Sequence, residues 1–141
     1  MLFSNESIAV PLTAMNTREL FVTTALLEGT TGIALILFPS SVAQLLLGAA
    51  LDAPAALVVA GVAGAALLAL ALACWLLRNE TARGTARAFL AALELYNIAV
   101  AIILVQAALA GLSGPGLWPT VVLHTAFALW CGTCFRRTSA A

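Results

Sequence analysis

The chain has 141 residues, 63% of them hydrophobic and 9% charged, with a formal net charge of zero and a mean hydropathy of +1.09. Water-soluble domains carry about 25% charged residues, so this balance excludes an ordinary soluble domain, and its neutrality offers nucleic acid nothing to bind. Four spans of about 20 residues each consume most of such a chain.

Residues 1–16 are polar and aperiodic, with Pro11 and no anchor, and read as a flexible N-terminal segment. Span 1 is predicted over 17–38, with Thr17 as a cap, Glu19 in the first turn and Pro39 as the terminator. A short helix over 42–47, capped by Ser40 or Ser41 and ended by Gly48, is too short to cross and is predicted to lie in the outer interface. Asp52 is predicted to cap span 2, over 54–77, with Pro54 in its first turn. An inner loop from Arg78 to Arg87 follows, broken by Gly84. Span 3 is predicted over 88–110 and span 4 over 118–135, with an outer turn at 112–116 and Pro119 opening span 4. The spans make one domain over 17–137, with 138–141 as a tail.

All six cationic side chains are arginines at span ends: Arg18 before span 1, Arg78, Arg83 and Arg87 between spans 2 and 3, and Arg136 and Arg137 after span 4. The other two connections carry none. Cytoplasmic loops hold the positive excess, so both termini are expected inside. Trp118 at one level and Trp75 and Trp130 at the other fit the aromatic belts of the two interfaces. The absence of lysine and the Ala/Leu bias fit a GC-rich bacterial genome, hence a bacterial inner membrane. The expected fold class is therefore an all-α integral membrane four-helix bundle, N-in/C-in, with a short outer interfacial helix between spans 1 and 2.

Polar residues inside the spans are few. Glu28 lies ten residues above Arg18, Asn97 ten above Arg87, and His124 twelve from Arg136. At about 1.5 Å per residue these depths are about 15, 15 and 18 Å, near the middle of a hydrocarbon core about 30 Å thick. Thr24, Glu28 and Thr31 share one stripe of span 1, and Thr120, His124 and Cys131 one stripe of span 4. No Lys or Arg stands in the interior of a span to neutralise Glu28, and a charge at a helix centre costs about 2.5–3.5 kcal/mol. Glu28 therefore either carries its proton or pairs with a protonated His124. Tyr96 is too deep for the interfacial belt and needs a polar partner for its hydroxyl. Glu94 is shallower and is expected to reach inner water. Glu28, Asn97, His124, Tyr96 and Glu94 form a candidate ligand or proton site. The alternative is helix glue, at about 0.6 kcal/mol per hydrogen bond.

Cys131 and Cys134 match C-x-x-C, and Cys74 lies at a similar depth on span 2. This spacing occurs in redox centres, but the pair sits at a helix C-terminus, where the dipole opposes a thiolate. The thiols are expected to pack as small apolar groups, and no metal site is expected, because His124 is too deep to serve as a fourth ligand. One histidine supplies one axial haem ligand, not two.

Leu27-Glu28-Gly29, Phe38-Pro39-Ser40, Leu46-Leu47-Gly48, Ala73-Cys74-Trp75-Leu76, Tyr96-Asn97 and Val122-Leu123-His124 resemble segments of small bacterial four-span proteins of the broad DoxX-like type. The resemblance implies a link to membrane-bound oxidoreductase systems and assigns no site residue. Ala60, Gly61, Gly64 and Ala65 give span 2 overlapping small-xxx-small pairs, the pattern by which helices associate in lipid. A homo-oligomer or a partner membrane subunit is expected, beside the lipid bilayer itself. The leading expectation is a structural or accessory subunit rather than an enzyme. A proton-linked carrier or small-ligand binder using the polar tier is the alternative. A thiol- or quinone-linked redox protein is the second, and a quinone is the one cofactor any of the three would bring.

Overall fold

A computed structural model describes residues 17–80 and 82–140, with side chains described as far as Arg137. The expected flexible segment at 1–16 lies outside the described residues. Five helices and no strand make up the described chain: α1 (Thr17–Leu37), α2 (Pro39–Leu47), α3 (Pro54–Leu77), α4 (Arg83–Leu109) and α5 (Leu117–Ala140). Four of them, all but α2, are long and apolar enough to cross a membrane.

Four helix ends depart from the expectation, in position or in capping. Helix α2 starts at Pro39 rather than at residue 42, with Phe38 as its N-cap and no side-chain capping bond. Proline lacks a donor that the first turn does not use, and its fixed φ suits that position, so one residue both ends α1 and opens α2. Ser40, expected to cap, instead donates its hydroxyl to the Leu51 carbonyl at 2.7 Å and holds the following connection. Asp52 does not cap α3 either; the N-cap is Ala53, without a side-chain bond. Helix α4 starts at Arg83, so Gly84 lies inside its first turn rather than breaking the loop. A helical glycine costs about 1 kcal/mol, and the buried Ala86 two residues on docks that turn against the bundle. The backbone of α5 runs on through Arg136 and Arg137 into the expected tail.

Helix α1 packs along α3, and α4 along α5, while the two pairs meet over much less of their length. The α1–α3 contact is set by glycines. A Cβ added at Gly32 would lie 2.7 Å from the Gly64 carbonyl oxygen, and one at Gly64 2.7 Å from that of Gly32. Part of the small-residue face of span 2 therefore serves contact within the chain, whereas Gly61 has open space before it.

The arginines gather at one end. Arg18 Nε donates to Asn79 Oδ1 at 3.2 Å, Arg78 stacks on Trp75 and Arg87 lies over Phe135. Just inside that end is the main core, in which Leu20, Phe21, Cys74, Leu90, Leu93 and Cys131 are almost wholly buried. A smaller core of Leu104, Leu117 and Val121 lies at the opposite end. There α2 docks on the α4–α5 connection. The amides of Ser113 and Gly116 donate to the carbonyls of Leu47 and Leu45 at 3.1 and 2.9 Å. These carbonyls belong to the last turn of α2, where a helix leaves its acceptors unpaired. Gly48 completes the end in the left-handed conformation, φ +74°.

Candidate functional site

Between the two helix pairs lies a cavity of about 790 Å³. Helix α2 covers it at the end away from the arginines, through Leu45, Leu46 and Leu47. Val59 of α3 and Leu123 of α5 both line it and are both exposed, so it opens between those helices. Most of the lining is aliphatic, and its polar members are Thr24, Glu28, Thr31, Tyr96, Asn97, Thr120 and His124.

The deepest polar groups form two linked pairs. Tyr96 donates its hydroxyl to Glu28 Oε2 at 3.0 Å. His124 Nδ1 lies 2.8 Å from Asn97 Oδ1. The Asn97 side-chain nitrogen donates to the Leu93 carbonyl at 2.8 Å, which fixes the amide orientation and leaves Oδ1 as an acceptor. His124 Nδ1 must then carry the hydrogen, and when the ring is neutral Nε2 holds the free lone pair. The Tyr96 and His124 rings meet edge to face, with centroids 5.8 Å apart. Glu28 is 8% exposed and Asn97 2%, while His124 is half-buried. Thr24, one turn from Glu28 and 3% exposed, has a hydroxyl with no partner.

Glu28, Tyr96, Asn97 and His124 thus come together from three helices, but the pairing differs from one of the two expected. Glu28 and His124 do not bond each other. Adjacent residues of α4 separate them, Tyr96 taking Glu28 and Asn97 taking His124. Glu94 stands apart from the site. It is half-buried outside the cavity lining and lies against α5, where a Cβ on Gly132 would be 3.0 Å from its Oε1.

Cys74, Cys131 and Cys134 are free thiols, all buried in the core near the arginines. Among the described residues, no three His, Cys, Asp or Glu side chains are arranged to hold a metal ion.

The cavity was not legible in the sequence, because its aliphatic lining has the same pattern as a packed core. Its polar end was, since carboxyl, amide and imidazole are rare inside such spans. Gly29 and Gly32 also escaped notice. They are three residues apart on α1 and face Ala71 and Gly64 of α3.

Compared with protein-family models, with curated proteins and with solved structures, the chain matches none.

Proposed function

We propose that this chain is an integral protein of a bacterial inner membrane, with four spans and both termini cytoplasmic, that binds a small lipid-soluble molecule between its two helix pairs. The observation that carries this reading is an apolar cavity of about 790 Å³ with four hydrogen-bonding side chains converging on it. Drug-sized ligands occupy sites of about 300–1,000 Å³ with this balance of apolar wall and few polar groups. The arginines at one end of the bundle support the orientation. Large apolar side chains such as Leu26, Val58, Val62, Leu72, Ile103 and Leu129 are exposed around it, as lipid contact requires. In that setting the opening between α3 and α5 faces the bilayer, and ligand enters from lipid. The resemblance to DoxX-like proteins is compatible with this and adds no residue to it.

A second reading, a subunit of a larger membrane assembly, is favoured by Gly61, where the outer face of α3 leaves open space for another helix. One experiment separates them. A Val59→Trp variant fills the cavity mouth without touching the main core. Binding of a neutral aromatic probe, triphenylphosphine oxide, to purified protein in detergent is expected to weaken about tenfold or more, the effect of losing roughly 1.4 kcal/mol of contact. Unchanged binding in Val59→Trp rejects the cavity as the ligand site and leaves the subunit reading.

A further inference from the structure

We propose that the cavity selects lipophilic cations, and that each bound cation displaces one proton from Glu28. This rests on the cavity being a ligand site. The argument is one of charge and hydrogen-bond sense. The cationic side chains are all arginines, and none lines the cavity. An anionic ligand therefore meets a carboxyl group and no counter-charge.

The hydrogen bonds point the same way. Tyr96 spends its hydroxyl proton on Glu28, the Asn97 nitrogen is held by the Leu93 carbonyl, and Thr120 donates to the Gly116 carbonyl. Glu28 keeps its second oxygen, which carries the proton before a ligand enters and becomes an acceptor once that proton has left. Tyr96 and Phe127 also line the cavity, and aromatic rings attract cations.

The groups facing Glu28 define the exchange. Tyr96 from α4 bonds it and His124 from α5 shares its cavity wall, while the cavity lining from α3 and the whole of α2 carry no titratable residue. None of these supplies a fixed positive charge, so in the empty cavity Glu28 holds its proton. When a cation enters, the O–H bond of Glu28 breaks, the proton leaves to water, and the carboxylate pairs with the cation. The site is neutral before and after, and one proton is released per cation bound.

The test uses purified full-length protein in detergent and two probes of matched shape, the tetraphenylphosphonium cation and the tetraphenylborate anion, beside neutral triphenylphosphine oxide. Calorimetry in buffers of different ionisation enthalpy is expected to show the cation bound with release of about one proton, its affinity rising about tenfold per pH unit while Glu28 is protonated. The anion is expected not to bind. Glu28→Gln is expected to weaken the cation by about two orders of magnitude, as loss of one partner of a buried ion pair does, and to keep the neutral probe, which shows that the variant is folded. Binding of the anion as tight as that of the cation, cation binding indifferent to Glu28→Gln, or proton release that persists in Glu28→Gln overturns the proposal. If the neutral probe binds and the cation does not, the selectivity falls and the cavity reading stands. If none of the three binds wild type, both fall.

Discussion

The hydroxyl of Tyr96 reaches Oε2 of Glu28 at 3.0 Å, and this bond ties the α4–α5 pair to the α1–α3 pair deep inside the bundle. Glu28→Gln keeps an acceptor for Tyr96 and removes the titrating proton. Thermal unfolding in detergent between about pH 5 and pH 8 is expected to show a pH-dependent difference between wild type and variant. Parallel curves across that range would mean that the proton of Glu28 plays no part in the stability of the fold.

The pair formed by Asn97 and His124 tests the assigned ring orientation. A double-mutant cycle of Asn97→Ala and His124→Ala is expected to give a coupling near 0.6 kcal/mol and below about 1.7 kcal/mol, the range for hydrogen bonds between membrane helices. The nitrogen-15 shifts of the His124 ring should show Nδ1 protonated. Protonation at Nε2 alone would overturn the orientation and, with it, the lone pair assigned to Nε2.

Gly64 and Gly61 stand one helical turn apart on α3 and predict opposite outcomes. Gly64→Val drives methyl groups into the Gly32 carbonyl and the Ile36 side chain and is expected to cost about 1–3 kcal/mol, read as a lower unfolding temperature. Gly61→Val meets no atom within 4 Å and is expected to leave monomer stability nearly unchanged. If Gly61→Val instead shifts the oligomeric state on size-exclusion chromatography with light scattering, the open face belongs to an interface.

At Gly114 an added Cβ would come within 2.5 Å of the Leu46 carbonyl carbon. Gly114→Ala is expected to push the α4–α5 connection off α2. Hydrogen exchange at the amides of Ser113 and Gly116 should quicken, with the main core unaffected. Unaltered protection at these two amides would show that α2 is held by its apolar face rather than by this loop.

Cys74 and Cys131 are wholly buried and Cys134 nearly so. A maleimide is expected to label the folded protein slowly at all three and the denatured protein fast. Rapid labelling in the folded state would revive a redox reading of the C-x-x-C pair.

The four long helices were legible because a run of about 20 apolar residues bounded by arginines has few other uses. The polar tier was legible for a related reason: rise per residue converts sequence distance from an arginine into depth, which brought Glu28, Asn97 and His124 to one level before any contact was known. The partners were not. Tyr96 and Asn97 are neighbours in sequence, and only their rotation about α4 shows that each serves a different helix. Helix starts failed where local chemistry was ambiguous. Gly84 reads as a breaker until the burial of Ala86 shows the turn it belongs to, and Asp52 reads as a cap until Ala53 takes the position.

Glu28 belongs to one helix pair and the Tyr96, Asn97 and His124 set to the other, so neither half carries the site alone. Occupancy and assembly are then two views of one equilibrium: whatever binds between the halves holds them together, by RT ln(1 + [L]/Kd), or about 2.7 kcal/mol at a hundred times Kd. A chain severed at 78–82 and expressed as two hairpins would rejoin more tightly with ligand present, and the ligand's identity could be sought by what restores the pairing.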